Sequence, residues 1–151
     1  MTDWVVTPLR PADRPAWEVL FRGYLEFYEE PVTVRHLDTV WTWLTDADHP
    51  LTAVVVRPAD DAEPVGLAHY RPYPRPLHAT VGCFLDDLFV APDARGAGTV
   101  DALLQHLREL CAEHDWEGVR WITREGNARA RKVYDRLARQ TQLITYEMPP
   151  A

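Results

Sequence analysis

A loop with two glycines, between a predicted strand and a predicted helix, is the segment of this sequence with the clearest chemistry. Apolar residues precede Pro92, and leucines recur at helical spacing from Leu103 to Leu110. Arg95-Gly96-Ala97-Gly98 connects the two segments. The first N–H groups of a helix have no acceptor within the helix and attract anions, and glycine lets an anion approach the backbone. The segment is therefore predicted to bind a phosphate group.

Two common phosphate-binding loops do not match this segment. The P-loop requires Lys followed by Ser or Thr after its second glycine, and here Thr99-Val100 follows Gly98. The dinucleotide-binding fingerprint requires three glycines in a unit near the N-terminus, and here Gly96 and Gly98 stand alone, late in the chain. A structural turn that binds nothing is the alternative interpretation.

Asp86 and Asp87 are adjacent carboxylates in a segment, 80–90, that is otherwise typical of an apolar strand. Because side chains alternate along a strand, we expect them to face opposite sides of the sheet, with one of them near the core or a cleft. An unpaired charge is costly there. An amine must lose a proton before it attacks an acyl carbon, so a carboxylate suits that chemistry. A salt bridge to one of the many arginines is the alternative.

The composition limits the classes of function. The 151 residues are predicted to form one domain, 1–151, and a formal net charge of −7 argues against nucleic acid and suits a cationic small substrate. No apolar run is long enough to span a membrane, and the N-terminus does not resemble a signal peptide. Two cysteines, Cys83 and Cys111, favour reduced thiols in a cytoplasmic protein. No Cys/His cluster indicates a metal site, and richness in Arg and Ala suggests a bacterial source.

The elements that position these residues follow from hydrophobic spacing. The first predicted helix begins at Pro11-Ala12-Asp13, where Asp13 is a candidate cap, and ends at Pro31. Three further helices are predicted, from Thr33 to Leu44, at 99–114 and at 127–138. Strands are predicted at 4–9, 51–57, 65–70, 80–90, 119–123 and 142–148, with the proline-rich 71–76 as a loop or sheet edge. The predicted order is β-α-α-β-β-β-α-β-α-β, a mixed α+β class.

Two motifs resemble those of the GCN5-related N-acetyltransferase (GNAT) family. The first is Val90-x-Pro92 followed by Arg95-Gly96-x-Gly98, and the second is Trp121-Ile122-Thr123 followed by Asn127 and Tyr134. Together they cover 84–148. The resemblance implies the GNAT fold, in which a central mixed, mostly antiparallel sheet is flanked by helices.

The resemblance also implies a site for acetyl-CoA. The loop would bind the pyrophosphate through backbone amides, with Arg95 adding charge and Val100 standing where the family has Gly or Ala. The end of the preceding strand would pair with the pantetheine arm. Tyr134 would protonate the departing thiolate and Asn127 would contact the cofactor, with a core aromatic and a helix cap as the respective alternatives. The cofactor-binding residues are thus expected to be Leu88, Phe89, Val90, Arg95, Gly96, Ala97, Gly98, Thr99, Val100, Asn127 and Tyr134.

The acidic pair resembles the spermidine/spermine acetyltransferase branch of the family, where acids at this strand position hold or deprotonate the amine. The expected catalytic residues are Tyr134, Asp86 and Asp87. The two N-terminal helices roof the acceptor site in the family, and aromatic and acidic side chains suit a cation, although core packing would use the same residues. The expected substrate-binding residues are Tyr24, Tyr28, Glu29, Asp86 and His69.

The implied function is transfer of the acetyl group of acetyl-CoA to a primary amine of a small molecule, by direct attack in a ternary complex and without a metal. One alternative is the same fold with another acyl-CoA or with different chemistry. The other is a non-catalytic module that binds CoA or another ligand. A homodimer is left open.

Overall fold

The computed structural model describes residues 3–151 as two compact units, the first ending at Trp121 and the second covering 122–151. The first unit contains β1 (Val5–Pro8), α1 (Arg14–Phe27), α2 (Val34–Thr45), β2 (Thr52–Arg57), β3 (Gly66–Arg75), β4 (Thr80–Val90), α3 (Thr99–His114) and β5 (Val119–Arg120). The second unit contains α4 (Ala128–Leu137). Short 3-10 helices, Pro11–Asp13 and Pro92–Ala94, precede α1 and α3. Within residues 3–151, no helix has both the length and the apolar character needed to cross a membrane.

The strands form one sheet in the order β1-β2-β3-β4-β5. The first four pair antiparallel and β5 joins β4 in parallel, which confirms the predicted mixed, mostly antiparallel sheet. Every residue of β2 from Ala53 to Arg57 is buried, as expected for a strand covered on both faces. Helices α1 and α2 pack on the sheet through a core formed by Trp17, Leu20, Phe21, Leu25, Leu37, Val40, Val55 and Leu67.

The starts of α1 and α2 differ in how their first turns are bonded. Thr33 caps α2, because its Oγ1 accepts a hydrogen bond from the N–H of His36 at 3.1 Å. Asp13 stands at the N-cap of α1 but does not cap it with its side chain. Its carboxylate instead accepts the N–H of Arg10 at 2.8 Å and binds the guanidinium of Arg57. The cap predicted at Asp13 is therefore replaced by a tertiary ion pair.

The guanidinium of Arg57 is bonded to several segments of the first unit. It donates to both carboxylate oxygens of Asp13 at 2.8 and 3.1 Å, to Oγ1 of Thr7 at 3.0 Å and to the carbonyl of Ala62 at 2.9 Å. Both partners of the ion pair are almost fully buried. Burial alone would raise the pKa of Asp13, but hydrogen bonds from Arg57 and Arg10 outweigh it and hold the pKa below its ordinary value. The pair ties β1 and β2 to the 3-10 helix before α1.

β3 continues to Arg75 and so includes most of the proline-rich segment 71–76, which was expected to be a loop or a sheet edge. Pro72 and Pro74 lie within the ladder that β3 forms with β4. The register of β2 with β3 ends where Thr52 pairs with Tyr70. Beyond Tyr70, β3 is therefore an edge on the β2 side, and a missing proline N–H costs no ladder bond there.

The last predicted strand, 142–148, is not formed in the structure. Residues 139–151 adopt no helix or strand, and side chains such as Ile144 and Met148 are largely exposed. Alternating apolar side chains are typical of a strand, but the ladder bonds that stabilise one require a paired neighbour. β5 is also shorter than the predicted 119–123.

Candidate active site

A one-residue shift in the pairing of β3 with β4 defines the geometry of the site. His69 pairs with Asp87 and Tyr70 pairs with Leu85, so Asp86 is an extra residue on β4. This arrangement is a β-bulge, a feature that redirects side chains and is frequent beside active sites. Strand alternation is therefore interrupted between the two carboxylates.

Both carboxylates lie on the same face of the sheet, which corrects the expectation that they face opposite sides. Arg71 and His69 are two residues apart on β3 and share a face, and their registered partners on β4 are Phe84 and Asp87. Asp86 lies on that face as well, because its Oδ2 accepts a hydrogen bond from Nε of Arg71 at 3.0 Å. The bulge thus brings two acids together instead of separating them.

Asp87 is bonded to groups from α1 and β3. Its Oδ2 lies 2.8 Å from Nδ1 of His69, and the hydroxyl of Tyr24 lies close enough to feel the charge of the same carboxylate. Burial, and after it the charge of Asp87, raises the pKa of Tyr24, so the phenol stays protonated. Nε1 of Trp17 donates to Nε2 of His69 at 3.0 Å. Asp87 keeps 23% of its side chain exposed and is therefore both anchored and accessible.

Asp86 has a cationic partner. The guanidinium of Arg71 that bonds it also lies over the ring of Phe84, 4.8 Å from the centroid. Burial raises the pKa of Asp86 above its ordinary value, Arg71 opposes this, and the nearby charge of Asp87 adds to it. The interpretation of the acidic pair as a salt bridge to an arginine therefore holds for Asp86, whereas Asp87 is bonded to His69.

The structure places the other predicted substrate-binding residues in three settings. Tyr24 contacts Asp87, and Tyr28 packs on Tyr24 with ring centroids 4.9 Å apart. His69 is completely buried with both ring nitrogens bonded, so it cannot contact a substrate directly, contrary to expectation. Glu29 lies in the exposed turn after α1 with φ of 58°. Its contact with a substrate stays a prediction.

The loop before α3 has the backbone that anion binding requires. Gly96 and Gly98 have φ values of 78° and 85°, in the left-handed region that favours glycine. Gly98 is the N-cap of α3, and its carbonyl accepts the N–H of Ala102 at 3.0 Å. The N–H groups of 99–101 precede that bond and have no acceptor within the helix. The exposed loop backbone therefore fits the pyrophosphate of a CoA molecule.

Arg95 is bonded to the end of β4, although it was expected to add charge to the phosphate site. Its Nε donates to the carbonyl of Val90 at 3.0 Å, and its guanidinium lies 5.3 Å from the ring centroid of Phe89. On the other side of the loop, Nε1 of Trp4 donates to the carbonyl of Ala97 at 2.6 Å. These contacts hold the loop at both ends.

Thr99 and Val100 form the first turn of α3. Thr99 is buried and its Oγ1 donates to the carbonyl of Ala94 at 3.2 Å, while the side chain of Val100 is half-buried. Both therefore face the protein with their side chains, and their backbone N–H groups are the atoms suited to a phosphate.

The end of β4 lies beyond its described pairing with β5. The registered pairs of these two strands are Cys83 with Val119 and Phe84 with Arg120. Leu88–Val90 follow these pairs and bond to β3 on their other side. The pairing of this strand end with a pantetheine arm stays a prediction.

Asn127 and Tyr134 belong to the second unit. Asn127 stands at the N-cap of α4 but makes no capping bond with its side chain, and its Nδ2 donates to Oγ1 of Thr123 at 3.1 Å. Tyr134 follows seven residues later and is half-buried. The roles predicted for both in binding and proton transfer stay predictions.

Trp17 and Arg71 belong to the site but were not predicted from the sequence as site residues. Trp17 fits the apolar stripe of α1, and its N–H matters only once His69 is known to face it. Arg71 lies in the segment that was expected to be a loop or a sheet edge. No local sequence pattern indicates these roles, because the contacts of Trp17 with His69 and of Arg71 with Asp86 depend on the register of β3. Among residues 3–151, no three His, Cys, Asp or Glu side chains are grouped so that they could hold a metal ion.

Comparison with known proteins places this geometry in a family. Residues 17–138 match the family model described as the acetyltransferase (GNAT) family. The chain is 24% identical over 143 residues to the D-amino-acid N-acetyltransferase HPA3 of Saccharomyces cerevisiae, covering 95% of this chain and 89% of that protein.

Solved structures share the fold over almost the whole length. The ribosomal-protein-alanine N-acetyltransferase from Brucella melitensis biovar Abortus 2308 superposes with a TM-score of 0.80 at 20% identity, covering 97% of this chain and 99% of that one. AAC(6')-Iy, in complex with the bisubstrate analogue CoA-S-monomethyl-acetylneamine, superposes with a TM-score of 0.83 at 14% identity, covering 99% and 100%. With the family match extending over most of its length, the chain belongs to the acetyltransferase (GNAT) family and is an acetyl-CoA-dependent N-acetyltransferase.

Proposed function

We propose that the protein acetylates a primary amine of a small molecule by direct attack of the amine in a ternary complex. The observation that carries this proposal is the pair of carboxylates, Asp86 and Asp87, on one face of the sheet beside Tyr24. β4, which bears them, is followed by a short 3-10 helix and then by the loop whose backbone fits a pyrophosphate. An alkyl amine is protonated at neutral pH, and a partly exposed carboxylate beside the ring of Tyr24 suits such a cation.

In this proposal each residue has a defined task. Acetyl-CoA supplies the acyl group and leaves as its thiol. The N–H groups of the loop and of the first turn of α3 hold the pyrophosphate. Asp87 holds the ammonium group and accepts its proton, directly or through one water, so that the nitrogen lone pair can attack. Tyr134 gives a proton to the departing sulfur, a role that rests on the resemblance of its motif to the family pattern.

The acceptor class is open to a direct test. The yeast relative is named for D-amino acids, and the acidic pair resembles the polyamine-acetylating branch of the family. Arg71 beside Asp86 also offers a cation to an acceptor that carries a carboxylate. We further propose one domain over 1–151, because the family match crosses the boundary between the two units. A cytoplasmic location is proposed from the two free, buried cysteines, and a homodimer stays an alternative.

The experiment is a thiol-release assay with acetyl-CoA and a panel of amines. The panel contains D-amino acids, polyamines, an aminoglycoside and a peptide with N-terminal alanine. Asp87→Asn keeps the shape and removes the charge, and we expect kcat/KM for the accepted amine to fall about 10²-fold. Asp86→Asn is the matched control, and we expect a fall below about tenfold because Arg71 already compensates that charge.

Two results would contradict this proposal in different ways. A larger effect of Asp86→Asn would show that the other carboxylate receives the amine. Binding of acetyl-CoA by calorimetry, with no thiol release for any amine, would favour the non-catalytic binding module or a different reaction.

A further inference from the structure

Trp17 and His69 are completely buried and are joined by a hydrogen bond whose direction can be assigned. An indole N–H donates and cannot accept, so Nε2 of His69 is the acceptor of this 3.0 Å bond. A neutral imidazole then carries its proton on the other nitrogen, Nδ1, which lies 2.8 Å from Oδ2 of Asp87. The bonds therefore run in one direction, from Trp17 through His69 to the carboxylate.

This direction determines the charge beside Asp87. A second proton could enter the imidazole only at Nε2, where it would displace the N–H of Trp17 from the nitrogen lone pair. The resulting imidazolium would be buried, which is unfavourable, and would offset the charge with which Asp87 attracts an ammonium group. With Trp17 in place, His69 acts as a neutral donor.

Other charged and titratable groups approach the imidazole from four elements. They are Asp86 and Asp87 on β4, Arg71 on β3, Tyr24 on α1, and His36 on α2, which meets the ring of Phe21 that packs on His69. Of these, Arg71 is bonded to Asp86, and Tyr24 lies beside Asp87, whose charge raises the pKa of its phenol. Trp17 is the donor that the structure places at Nε2.

We propose that Trp17 is a positioning residue, whose N–H keeps His69 a neutral Nδ1–H donor so that Asp87 presents a fixed, fully charged carboxylate to the acceptor amine. Another aromatic ring at position 17 could also pack against Phe21 and Trp41, whereas the bond to His69 requires an indole N–H. The role of Asp87 rests on the proposed function, but the protonation of His69 does not.

Nitrogen-15 NMR of the histidine-labelled, full-length protein tests the protonation of His69 directly. In the wild type we expect the Nδ1–H tautomer throughout the range from about pH 6 to about pH 8, where an unconstrained histidine changes its charge. In Trp17→Phe we expect Nε2 to take up a proton within that range. Trp41→Phe is the matched control and should match the wild type. An Nε2–H tautomer in the wild type, or an unchanged His69 signal in Trp17→Phe, overturns the proposal.

The dependence of the amine KM on pH tests the link to Asp87. When the pH is lowered from about 8 to about 6, we expect the amine KM of Trp17→Phe to rise by a factor about tenfold larger than that of the wild type. The change in kcat should be smaller. Trp41→Phe should follow the wild type. Equal pH dependence of KM in Trp17→Phe and the wild type overturns the positioning role. If no amine is acetylated, the proposed function fails while the NMR result still decides the state of His69.

A second pair of variants covers the case in which circular dichroism shows that Trp17→Phe does not fold. Asparagine at position 69 offers an N–H near the place of Nδ1, whereas leucine offers no donor. We expect His69→Asn to keep the amine KM within about threefold of the wild type and His69→Leu to raise it about tenfold. Equal KM values in the two variants overturn the proposal.

Discussion

Asp87 and Asp86 are neighbours in the chain but differ in what holds them. Asp87 is bonded to His69, which we propose is a neutral donor, whereas Asp86 is paired with the cation of Arg71. A carboxylate held by neutral donors keeps its net charge, and one paired with a guanidinium loses most of it. The residue that can still attract an ammonium group is therefore Asp87.

Tyr134→Phe removes one hydroxyl and is expected to lower kcat by about 10²- to 10⁴-fold, because a proton donor acts in the transition state. The affinity for CoA, measured by calorimetry, should stay close to that of the wild type. Tyr146→Phe is the matched control, since Tyr146 lies in the same unit and is largely exposed. Equal kcat values in all three proteins would assign Tyr134 to packing.

Arg95→Ala and Arg95→Lys should both lower the free energy of unfolding by about 1 kcal/mol. The reason is that Nε of Arg95 bonds the carbonyl of Val90 while the planar guanidinium lies on Phe89, a combination that lysine cannot reproduce. Urea unfolding measures the change, with the exposed Arg22→Ala as the control. If Arg95→Lys retained the stability of the wild type, and only Arg95→Ala weakened CoA binding, the charge would instead act on the phosphate.

Among the secondary-structure elements, those set by local chemistry were predicted well. Helical spacing and the Thr33 cap predicted α2, and the strand-glycine-helix pattern predicted α3 with its observed bounds, Thr99–His114. The errors arose where a distant partner decides the structure. β3 extends past Tyr70 because β4 pairs with it, and 142–148 forms no strand although its side chains alternate.

The site was predicted only in part for the same reason. The acids and the loop stand out by residue type, so Asp86, Asp87, Gly96 and Gly98 could be named from the sequence. Which side chains meet depends on the register of β3 with β4, which a single sequence does not reveal. The bulge at Asp86 reversed the expected facing of one carboxylate.

The residue that follows the C-terminal cap of α1 has a strained backbone, so a substitution there can test how this helix end affects stability. Glu29 has φ of 58°, its N–H donates to the carbonyl of Glu26, and the N–H of Glu30 donates to that of Leu25. Glycine is the residue that this left-handed position favours. Glu29→Gly is therefore expected to raise the free energy of unfolding by up to about 1 kcal/mol. Thermal unfolding checks this.

Glu29→Ala is the control for Glu29→Gly, because alanine keeps the Cβ and should give no such gain. If the amine KM changed in Glu29→Gly and Glu29→Ala alike, while stability did not, the carboxylate would have the substrate contact expected from the sequence.

At the scale of the whole first unit, the ion pair of Asp13 with Arg57 links segments that are far apart in the chain. Its partners come from β2 and the 3-10 helix before α1, and Thr7 adds a bond from β1. Removing one member of a buried pair leaves the other charge uncompensated, which is strongly destabilising. The stability of the unit should therefore depend on this carboxylate being ionised.

The pKa of Asp13 is lowered in the folded protein, because hydrogen bonds from Arg57 and Arg10 outweigh the effect of burial. Its contribution is then present above the ordinary carboxyl pKa of about 3.9 and is lost as the pH falls through the folded value. We expect Asp13→Asn to lower the free energy of unfolding by about 3–5 kcal/mol at neutral pH, and the difference from the wild type to shrink on acidification.

Urea unfolding at several pH values measures this difference. Asp60→Asn is the matched control, since Asp60 pairs with Arg10 at an exposed position and should contribute about 0–1 kcal/mol. A constant difference between Asp13→Asn and the wild type down to about pH 2 would contradict the lowered pKa.

Asp86 has no registered partner on β3, so β4 could lose this one residue without losing a pair. Deleting Asp86 would leave every registered pair in place, whereas deleting Leu85 or Leu88 would turn the residues beyond the deletion to the opposite face. Loss of one residue from this pair of aspartates is therefore expected to preserve the register of β3 with β4. A relative shortened there would keep Asp87 opposite His69 and would lose the carboxylate that bonds Arg71.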